Sequence, residues 1–241
     1  MNYSTFQDFL RCLYIAAKEL NYQPSRDEIF EGLMMVFTGE TPEMDNIPRQ
    51  KMASRTAEGV TLLGTAVVKI VHRCKDAKET QNLDLNFCSL IQVPDAVFFL
   101  MEASEILSCN LSGNLITKIS PRFGTCFSHI TTLNLSTNRL SSLPSELVHC
   151  KQLESVDISV NSFVAFPTIL LEIESVTEIR AKNNFIADVD DEALEQHANL
   201  ELVNLEENPL DHPTHERLSR VEGLRIVLTD RRVQEWEDLS I

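Results

Sequence analysis

The chain has 241 residues, 43% of them hydrophobic, enough to bury a substantial core in one folded unit with an appended piece. Lys+Arg 21 against Asp+Glu 36 gives a formal net charge of -15, which argues against general binding of nucleic-acid phosphates and is compatible with a basic partner or with plain solubility. The longest apolar stretch, Val60 to Val71, is interrupted by Lys69 and is too short to span a bilayer.

Residues 1–45 read as a helical segment. Phe6, Phe9, Leu10, Leu13, Ala16, Ala17 and Leu20 recur at helical spacing. A second helical pattern runs from Ser25 to Phe37, with Asp27 and Glu28 in its first turn and Ser25 to Glu28 at capping-box spacing. The Asn21-Tyr22-Gln23-Pro24 break resembles the linker between paired EF-hands, but no calcium-loop run of acidic and amide residues with glycine follows it. The segment is either a metal-free degenerate helix pair of that kind or an unrelated helical hairpin. Asp8 and Arg11 lie inside the first apolar stretch, so no secretory signal is expected. Residues 46–53, with Pro48, form a linker. Residues 54–78 read as an amphipathic helix with Val60, Leu63, Val67, Ile70, Val71 and Cys74 on one stripe, placed to cap the first of the repeats that begin at 79.

Between 79 and 212 one phrase recurs six times: apolar-x-x-apolar-x-apolar-x-x-Asn-x-apolar. Clear copies are Ile106-x-x-Cys109-x-Leu111-x-x-Asn114-x-Ile116 and Ile130-x-x-Leu133-x-Leu135-x-x-Asn138-x-Leu140. The first copy carries Cys88 in place of the asparagine, and the ladder residues then step by 26, 24, 23, 23 and 24 through Asn114, Asn138, Asn161, Asn184 and Asn208. The apolar-x-apolar core alternates with period two, so each copy predicts a short strand with one buried face. A copy that returns to the same starting point makes the strands parallel, and one copy cannot bury its apolar face without neighbours. The asparagine stands where the chain must turn, and its amide can satisfy backbone groups freed there. Return segments such as Leu143-Pro144-x-x-Leu147 predict short helical turns on the far side. Residues 213–241 read as a closing element: helical at 213–221, then a final irregular strand around Leu224, Ile226 and Leu228, with the only tryptophan at Trp236.

The fold class is therefore α/β: a six-repeat solenoid with a parallel concave sheet, an N-terminal helical cap and an extra N-terminal helical segment. From about residue 52 to 230 the chain resembles small intracellular members of the leucine-rich repeat family. The likeness rests on the amphipathic helix before Asn82-Leu83-Asp84-Leu85, the Leu143-Pro144-Ser145-Glu146 turn and Asn204-Leu205-Glu206-Glu207-Asn208-Pro209-Leu210. Met52 opens the matching part, so the first segment reads as an addition to it. The resemblance implies a protein-interaction module, often in intracellular signalling, and no catalysis.

Strand residues that face away from the core form columns on the concave sheet. One column is Asp84, Asn110, Asn134, Asp157, Arg180 and Asn204; the next is Asn86, Ser112, Ser136, Ser159, Lys182 and Glu206. A third column, ending at Glu207, begins with Phe87. Phe87, Asn110, Asn134, Asp157, Glu178, Arg180, Lys182, Asn204 and Glu206 are the candidate partner-binding residues, Arg180 and Phe87 first because hot spots favour arginine and aromatic side chains. His212 and His215, the only close histidine pair, read as helix-capping residues rather than metal ligands, and no glycine-rich phosphate loop occurs among 7 glycines. The six cysteines form no C-x-x-C pair and read as reduced packing residues. No cofactor, metal, nucleic acid or membrane is expected, and no enzyme activity. The expected protein is a cytoplasmic or nuclear monomer that binds a protein or peptide as a scaffold or adaptor. The alternative reading is a noncatalytic regulatory subunit or inhibitor that occludes a partner enzyme.

Overall fold

The computed structural model describes residues 69–230. The segments expected at 1–45 and 46–53, most of the expected 54–78 helix and the tail with Trp236 lie outside the described residues. Seven short strands form one parallel sheet in chain order: β1 Asn82–Asp84, β2 Ser108–Asn110, β3 Thr132–Asn134, β4 Ser155–Asp157, β5 Glu178–Arg180, β6 Leu202–Asn204 and β7 Arg225–Val227. The expected six are thus joined by a seventh. The alternating stretch at 224–228 pairs with β6 in the common register, Val203 opposite Ile226.

The register repeats from strand to strand. Leu83, Cys109, Leu133, Val156, Ile179 and Val203 stand side by side and are at most 1% exposed. Leu85, Leu111, Leu135, Ile158, Ala181 and Leu205 form a second buried row. Period two thus sends these two rows into the core and leaves the residues between them on the open face. The return segments are short helices at Asp95–Leu100, Arg122–Cys126 and Asp191–Glu195, and 3₁₀ turns at Ser145–His149 and Thr168–Glu172. Phe98, Phe123 and Phe127 fill the space behind the first repeats, with Phe123 and Phe127 edge to face at 4.9 Å between centroids. Gly124 lies directly under the backbone carbonyl of Glu146, where any Cβ would collide. The neighbouring return segments can approach closely only because that residue lacks a side chain.

The asparagine ladder performs the predicted task and links repeats as well. Asn138 Nδ2 donates to Leu135 O at 3.0 Å in its own repeat and to Leu111 O at 2.9 Å in the one before, while its Oδ1 accepts from Ile116 N–H at 3.0 Å. Asn114, Asn161, Asn184 and Asn208 repeat the pattern. Each amide therefore closes its own turn and fastens that turn to the preceding one. The residue just before each ladder position turns left-handed: Phe87, Gly113, Thr137, Val160, Asn183 and Glu207 have φ between 46° and 66°.

The two ends of the sheet differ. In every interior pair the backbone of one strand donates to carbonyls of the next, as Leu85 N–H does to Asn110 O at 2.8 Å and Phe87 N–H to Ser112 O at 3.0 Å. The equivalent carbonyls of β1 have no preceding strand. Arg73, in the helix over 69–80, fills that gap: its Nη1 donates to Asp84 O at 3.0 Å and Asn86 O at 2.8 Å, and reaches Cys88 Sγ at 3.5 Å. Cys74 and Ala77 of the same helix are buried in the core. At the other end Leu224, Ile226 and Leu228 are only partly buried against it.

The helix His212–Leu218 precedes β7. The cap is Asp211, which accepts from Thr214 N–H at 2.7 Å, and not the expected histidines; His212 opens the helix, and His215 Nε2 lies 3.1 Å from Thr229 O. Arg217 ties the helix to the repeat before, with Nε 2.7 Å from Asp191 Oδ1 and Nη2 3.0 Å from Asp188 Oδ1.

Candidate protein-interaction face

Side chains from successive strands stand on the open face in the columns expected from the sequence, but they divide into three kinds. Asp84, Asn110, Asn134, Asp157 and Asn204 each turn Oδ1 back onto the backbone N–H two residues on, at 2.9–3.1 Å. This second polar ladder holds the strand ends in an Asx turn. It also fixes which way the amides point. With Oδ1 occupied, Asn110 and Asn134 present Nδ2, and neither NH₂ has a hydrogen-bond partner among the described residues. Asn204 differs, because its Nδ2 donates to Glu206 at 3.2 Å. Asp157 keeps one carboxylate oxygen for an incoming donor. Around these stand the half-buried Ser108, Ser112 and Ser159 and the exposed Thr132.

The second kind is a charge network on β5, β6 and their continuations. Arg180 Nη2 lies 2.6 Å from Glu178 Oε1, and Lys182 Nζ lies 3.1 Å from Glu207 and 3.6 Å from Glu206. Hydrogen bonding to Glu207, then the field of Glu206, raises the Lys182 pKa. Arg180 and Lys182 are therefore engaged within the molecule, and exposed pairs of this sort contribute little to stability. Arg225 of β7, in register with Leu202, is a third cation of the face, with no ion pair among the described residues. Arg180 takes the slot that holds an Asx residue in the neighbouring repeats, and no Asx bond forms there.

The third kind is Phe87. It lies past the end of β1 in the left-handed turn, 70% exposed, with φ 46°. Its column belongs to the turn edge and not to the sheet, because that left-handed residue ends the alternation on which the column was drawn. The Phe87 ring lies across Gly113, whose own φ is 66°; a Cβ there would collide with the ring. Sequence reasoning placed the other eight candidates on the face. Val160 shares the Phe87 column and moves with it to the turn edge, where sequence reasoning missed the exposed apolar residues Ile91, Leu115, Val164 and Phe185. Their signal was an apolar residue one or three positions from a ladder residue, where other copies are polar.

The thiols are positioned for packing. Burial raises the Cys109 pKa strongly and pushes Cys150 up to about 12. Among the described residues no group of three or more His, Cys, Asp and Glu side chains could hold a metal ion. No described helix is long and apolar enough to cross a membrane.

A parallel sheet that gains one strand per turn, tied by stacked asparagines, defines a leucine-rich repeat solenoid. The family model for leucine rich repeats matches residues 108–163. The chain carries leucine rich repeats and folds as a leucine-rich repeat solenoid. It is similar to leucine-rich repeat-containing protein 20 of Homo sapiens, 30% identical over 97 residues that make 39% of this chain and 53% of that protein. It is also similar to the volume-regulated anion channel subunit LRRC8D of Rattus norvegicus, 27% identical over 108 residues, 44% of this chain and 12% of that one. The chain thus spans about half and about an eighth of the length of these relatives. Among solved structures, the leucine-rich repeat domain of the type III effector XopL aligns at a TM-score of 0.60 with 17% identity, covering 92% of this chain and 71% of that one. That likeness concerns the fold alone. Leucine-rich repeats are generally protein-interaction modules.

Proposed function

We propose that this protein is a noncatalytic scaffold or adaptor of the cytosol or nucleus, and that it holds a protein or peptide partner on the concave sheet. The observation that carries this reading is the orientation of the Asx ladder. It leaves Asn110 and Asn134 side by side with their NH₂ groups outward, amid small hydroxyls, on a backbone fixed from both sides. Such donors suit carbonyl or carboxylate acceptors of an extended segment or a helix end. They lose little entropy on binding because their side chains are already held. The charge network at Glu178, Arg180, Lys182 and Glu206 borders this floor and supplies a charged rim that can exchange internal pairs for intermolecular ones.

The test uses Asn110→Asp and Asn134→Asp together. An aspartate keeps the acceptor that holds Ser112 and Ser136 N–H, so the turn persists, while the outward donors become acceptors. Partners recovered with the full chain are identified by quantitative mass spectrometry and compared with those recovered by the double variant. The expected result is a loss of about tenfold or more in the principal partner, as for unpaired polar groups at an interface, with a modest fall in thermal stability, because the two new carboxylates stand in register between Asp84 and Asp157. An unaltered partner set in the folded double variant would rule out this face as the site.

A further inference from the structure

Six of the large apolar side chains that the fold leaves exposed share one edge of the solenoid: Phe87, Ile91, Leu115, Val160, Val164 and Phe185, each between 39% and 70% exposed. All occupy positions one before, one after or three after a ladder residue, so all stand on the turns that follow the strands. Backbone bonds stack these turns. Leu115 N–H donates to Leu90 O, Arg139 N–H to Ile116 O, Ser162 N–H to Leu140 O and Phe185 N–H to Phe163 O, each at 2.8 or 2.9 Å. From the first repeat to the fifth this strip runs about 19 Å at the strand spacing of about 4.8 Å. Midway along it stands Arg139, exposed, with Lys118 exposed one turn before. Neither has an ion pair among the described residues, on a chain of net charge -15. Apolar side chains on a shared edge with unpaired cations among them mark a surface built to be covered.

The chain itself carries a segment of the matching chemistry. Residues 25–37 place Ile29, Phe30, Leu33 and Phe37 at helical spacing, with Asp27, Glu28 and Glu31 beside them and Arg26 the sole cation. Thirteen residues in helical form measure about 20 Å, the length of the strip. The other apolar pattern, from Phe6 to Leu20, carries Asp8, Arg11, Lys18 and Glu19 and so has no net charge to offer the cations. A second copy of the chain would bring Arg139 and a net charge of -15 against their own kind. Between Phe37 and Lys69 lie 31 residues. Of these, 16 precede the helix expected from residue 54, and 16 residues of linker reach about 20 Å as a coil, enough to bring the segment to the edge at an effective concentration in the millimolar range.

We propose that the turn-edge strip is the docking surface for residues 25–37 of the same chain. Their apolar stripe covers Phe87, Val164, Phe185 and their neighbours, and their carboxylates meet Arg139 and Lys118. This contact is separate from the concave face, and a partner that used the edge would have to displace the segment.

The test places the photo-crosslinking amino acid p-benzoylphenylalanine at position 185 in the full, purified chain at dilute concentration, with adducts mapped by mass spectrometry. The expected product is an intrachain adduct to residues 25–37. Its yield should fall about threefold to tenfold with Leu33→Asp or Arg139→Glu. Leu33 lies outside the repeats, so its variant keeps the solenoid intact and a thermal melt verifies this. Combining Arg139→Glu with Asp27→Arg and Glu31→Arg should restore the yield. Absence of an adduct, an adduct to another segment, an adduct between copies that grows with concentration, or indifference to both single substitutions would overturn the proposal.

Discussion

Replacing Asn138 with alanine tests the reason why one polar residue recurs inside an apolar core. The side chain is 9% exposed. Its loss strands Ile116 N–H, which has Oδ1 of Asn138 as its partner at 3.0 Å, and removes the donor to Leu111 O at 2.9 Å and Leu135 O at 3.0 Å. A buried donor left unsatisfied costs about 1–3 kcal/mol, and an under-satisfied carbonyl somewhat less because it has a second lone pair. Three such groups make the expected loss about 3–5 kcal/mol. Two of them belong to the preceding repeat, so the loss also weakens coupling between neighbours, on which a solenoid's cooperativity depends. Asn208→Ala removes the same chemistry where the side chain is half exposed and water can replace it, so its expected cost is about half as large. Urea denaturation followed by circular dichroism measures both, with the m-value as a check that unfolding remains one transition. Equal costs at the two positions, or a cost below about 1 kcal/mol at Asn138, would refute the view that these amides fasten repeat to repeat.

Other outcomes rest on particular contacts. Leu135→Ala, fully buried in β3, should lower stability by about 2–5 kcal/mol, whereas Ser136→Ala on the open face should change it by less than about 1 kcal/mol. Val160 is β-branched at φ 55°, so Val160→Asn should raise the unfolding free energy by about 1 kcal/mol; a decrease would mean that the exposed valine side chain is held by something that outweighs the backbone strain. Arg73→Ala bares the carbonyl edge of β1, and light scattering of the variant on mild heating should show earlier aggregation than the parent chain. Hydrogen bonds from Thr214 hold the carboxyls of Asp188 and Asp211 below the usual carboxylate range. Their contribution is therefore present above the unfolded pKa of about 3.9 and is lost as pH falls through the lowered folded values. The Thr214 amide should lose hydrogen-exchange protection in that acid range before the amides of β3 do.

The repeat itself was legible in the sequence, because the ladder residues recur every 23 to 26 positions and period two assigns each side chain to one face whatever its neighbours are. Strand order, the buried rows and the asparagine ladder follow from that local pattern repeated, since each turn needs only the next to complete it. Three features are not given by that repeating pattern. Arg73 closes the sheet edge 11 and 13 residues away in the chain, and nothing in its surroundings distinguishes it from a solvent-exposed arginine until the edge carbonyls of β1 are placed. Asn110 and Asn134 were visible as a polar column, but only the backbone geometry at the strand ends turns Oδ1 inward and leaves NH₂ outward. The left-handed residue before each ladder position moved Phe87 from the sheet to the turn edge and aligned it with Leu115 and Phe185. Periodicity states which face a residue takes while the strand lasts. Where the strand ends, and what lies beyond it, is decided by the hydrogen bonds that the stacked turns make with one another.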